Sequence, residues 1–307
     1  MISLIVALFA GLLIQSDPEP AYFGLYMQRT DNVTNKNTHQ ILIIGSLKGG
    51  KFSSVEDQGE PSDSDLASST RAKIMKSHKG FVAYNHGQSI GRINLDHIST
   101  ENFECSKLVV GQSSNMQPFK VIPHSAGAKG YSEGHDVDYS HSVSIALETS
   151  FASNCEQHWS APIKNSISNK DSLALRVFAY RELRKHHSSL KADSLKMSII
   201  IPYSFSNDGK VHYVFTCFAE NDSSIESLAV VATINSKGVQ AELLIANTNE
   251  SDSWGHGHEF LDALDIDADG IPEFIFQVGY YEATGFEIYK YRQGHFEKVF
   301  ETIPWGC

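Results

Sequence analysis

Apolar residues recur at every second position along most of this chain, in short runs closed by glycine- and asparagine-containing turns. That period matches the strand repeat, in which alternate side chains share one face, and it leaves little room for long amphipathic helices. His39–Gly45 reads as an apolar strand closed by the turn Lys48-Gly-Gly-Lys51. Phe81–Tyr84 and Arg92–Ile98 flank Asn85-His-Gly as a hairpin, and Leu108–Gly111, Val143–Leu147 and Met197–Ile201 read as further strands. Val211–Phe218 and Leu228–Ile234 alternate, and Glu273–Val278, Gly285–Tyr291 and Phe296–Phe300 form a meander whose last turn is Arg292-Gln-Gly294. One helix is clear, about 171–187: Asp171 caps it, and Leu173, Val177, Tyr180 and Leu183 follow at helical spacing. Ser53–Ser69, polar and acidic, and Gly127–Ser140 read as loops. The expected class is mainly β, a β-rich α+β fold of antiparallel sheets.

Residues 2–14 are almost wholly apolar and uncharged, and a polar break follows at Gln15-Ser-Asp-Pro18. Such a run is short for a bilayer span and suits a cleaved secretory signal over residues 1–16. No later stretch is long enough to cross a membrane, so the expected location is secreted or periplasmic. Four cysteines, Cys105, Cys155, Cys217 and Cys307, lie far apart with no CxxC pair. In an exported chain that even count suits two disulfides, with three connectivities open. A boundary near Pro162–Asp171 would divide an amino-terminal β unit (17–162) from a helix-plus-sheet unit (163–307); one continuous domain is the alternative. The formal charge of −11 argues against nucleic-acid binding, which needs basic surface to neutralise phosphates. The basic run Arg181–His187 reads as a solvated helix end.

The most specific chemistry lies in Asp265-Ile-Asp267-Ala-Asp269-Gly270-Ile271-Pro-Glu273. Carboxylates at loop positions 1, 3 and 5 can converge on one hard cation. Gly270 supplies a sharp turn, and the Ile271 carbonyl stands as a further oxygen. Without a cation these groups repel. The residue at position 12 is Phe276, where an EF-hand has a bidentate glutamate, and a strand pattern follows instead of a helix. The loop resembles the calcium loops of FG-GAP/VCBS repeats, although no array of repeats is visible here. That resemblance covers only Asp265–Glu273 and the next strand. It implies calcium, with Asp265, Asp267, Asp269 and Glu273 as side-chain ligands and Ile271 as a backbone ligand; Glu273 stands where the family usually has Asp.

Other motifs carry less. Gly87-Gln-Ser89-Ile-Gly91 fits a nucleophile elbow, yet a strand pattern follows where a helix is needed. Gly45–Lys51 approaches a P-loop but has Phe52 where Ser or Thr should be. His256 and His258 share a strand face, and Glu133, His135, Asp136, Asp138 and His141 gather in one segment, but neither group shows a converging third ligand. Trp254, Tyr280, Tyr281, Tyr289 and Trp305 suit either a glycan groove or cross-strand packing. The leading expectation is an exported, non-enzymatic protein that binds a protein or glycan ligand and carries a structural calcium loop. The alternative is a hydrolase of an envelope or extracellular polymer, using Ser89.

Overall fold

A computed structural model describes residues 19–30, 37–55, 57–58, 66–77, 80–85, 88–103, 106–118, 144–150, 152, 167–186, 190–191, 194–198, 200–204, 209–220, 224–250, 257–280 and 283–302. The expected signal segment 1–16 lies outside them, as do the Gly127–Ser140 loop and its acid–histidine group, His256, Trp254, Tyr281 and Trp305.

Three antiparallel sheets and two helices make up the described chain, and the expected β-rich class is what forms. The first sheet holds ten strands. They are β1 (Ala21–Thr30), β2 (Asn37–Lys48), β3 (Lys51–Ser54), β4 (Asp57–Gln58), β5 (Gly80–Asn85), β6 (Gln88–Asn94), β7 (His97–Phe103), β8 (Ser106–Ser113), β9 (Met116–Pro118) and β10 (Ser144–Glu148). Its spatial order is β4-β8-β2-β1-β10-β5-β6-β9, with β3 on β2 and β7 on β8. The second sheet holds β11 (Leu195–Met197), β12 (Ile201–Ser204), β13 (Val211–Glu220), β14 (Ser224–Asn235) and β15 (Gly238–Glu250). The third is a meander of β16 (Gly257–Leu264), β17 (Glu273–Tyr280), β18 (Ala283–Arg292) and β19 (His295–Glu301). Helices α1 (Leu66–Ser77) and α2 (Asn169–His186) complete the elements.

Turn chemistry sets several registers. Gly49 and Gly50 both have positive φ (56° and 74°), as do Gln293 and Gly294 (51° and 92°). Two central residues of that hand match the right-handed twist of the strands they join, which closes β2–β3 and β18–β19 tightly. At β14–β15 the Asn235 carboxamide oxygen accepts the Lys237 amide at 2.8 Å, and Gly238 takes φ 116°.

Four apolar clusters order the layers. Ala67 and Ile74 of α1 cover one face of the first sheet, against Ile41, Ile43, Phe81 and Ile93. The opposite face, with Phe23, Leu25, Leu42 and Ile44, packs on Leu264, Ile266, Ile275, Phe286, Ile288 and Phe300 of the third sheet and the loop beside it. The other face of the third sheet, through Phe274, Phe276, Tyr289 and Phe296, meets Tyr203, Val214, Val231 and Leu243 of the second. Leu175, Phe178, Ala179 and Leu183 of α2 close the far side of the second sheet over Phe215, Leu228 and Val230. The third sheet is therefore apolar on both faces, as its Phe274-Ile-Phe run requires.

Several local readings need correction. The Arg92–Ile98 run is broken: β6 stops at Asn94 and β7 starts at His97, while Asp96 accepts the Ser114 amide at 2.9 Å. Met197–Ile201 straddles two short strands. The Ser53–Ser69 loop is interrupted by the end of β3, by β4 and by the start of α1. Helix α1 hides in a polar sequence because, among its described side chains, only Ala67, Thr70 and Ile74, one narrow stripe, are buried. Ser168 rather than Asp171 caps α2: its hydroxyl accepts the Asp171 amide at 3.0 Å and bonds the Asp171 carboxylate at 2.8 Å. The buried stripe of that helix runs through Leu175, Phe178, Ala179 and Leu183, leaving Leu173 and Val177 on the outer side, 62% and 58% exposed.

Candidate metal centre

The loop between β16 and β17 turns on its own carboxylates. Asp265 is fully buried, and its two oxygens accept the amides of Asp269 (3.0 Å) and Gly270 (2.8 Å). The Asp269 carboxylate accepts the Ile271 amide at 3.0 Å. Glu273, the first residue of β17, reaches back to accept the Ile266 amide at 2.6 Å. Left-handed φ at Ala268 (60°) and Gly270 (88°) gives the curl that these bonds require. Asp265, Asp267 and Asp269 each bring one oxygen into a group whose members lie within 4.8 Å of one another. This three-aspartate cluster could hold a metal ion.

One participant is invisible in the loop's own sequence. Lys290 on β18 lies directly opposite Glu273 in the strand register and is buried. Its ammonium lies 2.5 Å from Asp267 Oδ2, 2.8 Å from Asp269 Oδ2 and 2.9 Å from Glu273 Oε1. By strand alternation it continues the row Phe286–Ile288, so the side chain leaves the apolar cluster at the end where the carboxylates gather. Desolvation opposes its charge, but Glu273, Asp267 and Asp269 outweigh that and hold the ammonium protonated beyond the ordinary lysine range.

One ammonium does not balance four carboxylates. Burial pushes Glu273 up to about 8, helped by Asp267 and opposed by Lys290 and the Ile266 amide. Asp265 is raised too, first by burial and then by Asp269 and Asp267, against its two amide bonds. Asp267 Oδ1 is buried without a hydrogen-bond partner. Both the residual repulsion and that bare oxygen are what a divalent ion relieves, so the donor set fits one. Two of the three aspartates of that cluster, Asp267 and Asp269, also hold Lys290.

The remaining candidates separate. His258 forms no cluster of metal ligands among the described residues. Its Nδ1 lies 3.0 Å from the Asn247 carboxamide nitrogen, and its Nε2 lies 2.9 Å from Glu287. Tyr289 donates to the same Glu287 oxygen at 2.6 Å, and Lys298 donates to the other at 3.0 Å. Tyr289 thus belongs to the core rather than to an exposed groove. Ser89 lies on β6, cross-strand from Tyr84, and strand rather than helix follows it, so the nucleophile elbow does not form. Gly45–Lys51 is likewise the β2–β3 hairpin, with no helix to cradle phosphate. Cys217 is a buried free thiol under α2, its pKa pushed by burial up to about 12; Cys105, Cys155 and Cys307 lie outside the described residues.

No helix among the described residues is long and apolar enough to cross a membrane. Comparison with family models, curated proteins and solved structures finds no match to this chain.

Proposed function

We propose that this is an exported, non-enzymatic binding protein in which the Asp265–Glu273 loop takes up calcium to fix the entry to β17. Asp265, Asp267, Asp269 and Glu273 would supply carboxylates and Ile271 its carbonyl, as in the FG-GAP/VCBS loops this segment resembles. The observation that carries the reading is the charge imbalance around the three-aspartate cluster: one ammonium contacts Asp267, Asp269 and Glu273 with Asp265 in the same cluster, and Asp267 Oδ1 is buried with no partner. Calcium suits an irregular set of oxygens that varies in number, whereas magnesium demands a near-ideal octahedron and sheds water reluctantly. Binding has to displace or share the Lys290 interactions, which places the affinity at the weak end, about 10⁻⁴–10⁻³ M, typical of extracellular modules. The bound ion would be structural, stabilising the fold by mass action in a calcium-rich medium. Export rests on the uncharged apolar run at residues 2–14. The partner is a protein or glycan whose identity the loop does not specify.

Calorimetric titration with calcium and with magnesium tests the metal reading, together with thermal melting in calcium and in chelator. The expected result is saturable calcium binding, weaker magnesium binding, and a melting temperature that chelator lowers in the wild type but not in Asp267→Ala. Identical melting of the wild type with and without calcium at millimolar concentration would overturn it.

A further inference from the structure

The outward face of α2 differs in character from the rest of this acidic chain. Leu173 and Val177, one turn apart, are 62% and 58% exposed, although the inner stripe of the same helix is fully packed. Around them stand Arg176, Arg181, Arg184 and Lys185, all exposed. The two acids of the helix lie off this face: Asp171 is engaged at the amino-terminal cap, and Glu182 is buried beneath Arg181 and Lys185. At 100° per residue, Leu173, Val177 and Arg184 fall along the middle of the outer arc, with Arg176 on one side and Arg181 and Lys185 on the other. Arg181 and Arg184 lie over the Phe178 and Tyr180 rings at 5.7 and 5.8 Å, which braces two of the guanidiniums against the helix.

A cationic face on a chain of formal charge −11 complements an anionic partner and orients the molecule towards it. We infer that this face docks on a membrane surface carrying anionic phospholipid. The recess on this face, about 320 Å³ between Val177, Tyr180, Arg181, Arg184 and Lys185, is shallow and broadly open to solvent, which fits a plane better than it fits a protruding peptide. Guanidiniums pair with phosphate in the headgroup layer, and two aliphatic side chains on the same arc can enter the boundary above the acyl chains without the helix leaving its sheet. The expected attachment is peripheral and reversible, each cation near the surface adding roughly a fivefold increase in partition. It is independent of the calcium loop, which lies on a different sheet.

The test is cosedimentation of the full chain with vesicles, in chelator so that calcium cannot bridge protein and lipid. Equal parts phosphatidylglycerol and phosphatidylcholine should capture the protein, pure phosphatidylcholine should not, and raised salt should release it. Arg181→Glu and Arg184→Glu should each lower capture about tenfold or more, whereas Lys237→Glu, the same charge change at the exposed β14–β15 turn, should have a much smaller effect. Leu173→Ser with Val177→Ser should weaken the binding that survives at higher salt. Circular dichroism of each variant checks that α2 remains folded, and these outward positions should leave it so. Failure of phosphatidylglycerol vesicles to bind the wild type, equal capture by both vesicle types, or equal losses in Lys237→Glu and Arg184→Glu would overturn the proposal.

Discussion

Glu273 and Lys290 are direct cross-strand partners on β17 and β18, both buried, with 2.9 Å between carboxylate and ammonium. The pair ties the metal-loop candidate to the meander at a point where register cannot slip without stranding two charges. It also means that the loop carries its own counter-ion, so folding of this turn does not wait wholly on a metal.

Replacing that counter-ion separates its contribution from that of calcium. Lys290→Met keeps much of the side-chain volume but leaves Asp267, Asp269 and Glu273 crowded and uncompensated. In chelator the variant should lose about 3–5 kcal/mol, the usual cost of removing one member of a buried charge group. Calcium should then recover more stability in the variant than in the wild type, because the ion no longer competes with an ammonium. Urea denaturation with and without calcium measures both differences. A variant as stable as the wild type in chelator would mean that Lys290 does not neutralise the loop.

Acid stability should depend on Glu287. Desolvation alone would raise its pKa, but hydrogen bonds from His258, Tyr289 and Lys298 outweigh it and bring the group down to about 2 from an ordinary 4.5. A carboxylate depressed in the folded state stabilises fully above its unfolded pKa, and that contribution disappears as pH falls through the folded one. The window is therefore pH 4.5 down to about 2. The contribution should be about 2 kcal/mol after allowance for solvent screening. Glu287→Gln should flatten this limb of the stability–pH curve; an unchanged slope over that window would contradict the assignment.

Cys217 should be inert while the fold is intact. Its thiol is buried against α2 and its pKa is pushed up to about 12, so almost no thiolate exists at neutral pH. Iodoacetamide followed by peptide mass mapping should leave Cys217 unmodified in the native protein and label it in denaturant. Ready labelling under native conditions would show that α2 lifts from its sheet.

Gly24 is required for close approach rather than for turning. A Cβ there would lie 2.3 Å from the Leu42 carbonyl oxygen, beside the β1–β2 register shift. Gly24→Ala should cost about 2 kcal/mol or more, since backbone and not a flexible side chain must yield. Gly209→Ala, in open space at φ 64°, should cost only about 1 kcal/mol. Chemical denaturation of the two variants gives the comparison, and equal losses would refute the steric account.

The contrast between Asp267 and Lys290 shows which parts of this molecule could be read directly. Asp267 belongs to a local pattern whose chemistry follows from spacing within a single turn. Lys290 is 23 residues away and meets it only through strand pairing. The Arg292-Gln-Gly294 turn sets β18 against β19, whereas the register of β17 on β18 is settled by three-dimensional packing. Leu173 and Val177 make the same point for α2. They fit a helical spacing, yet Ala179 with Leu175, Phe178 and Leu183 forms the better inner stripe, and a small residue at that place lets the helix approach its sheet. The strands themselves were legible because alternation is a property of adjacent residues. α1 was not, since the buried stripe of its described side chains is a single alanine, threonine and isoleucine in a polar run.

The third sheet touches the first with one face and the second with the other, as a wall common to two rooms. Neither room keeps its interior dry once that wall is gone. Heating should therefore produce one calorimetric endotherm for the three sheets instead of stepwise melting. Anything that stiffens the corner between β16 and β17 should be felt as far away as either helix.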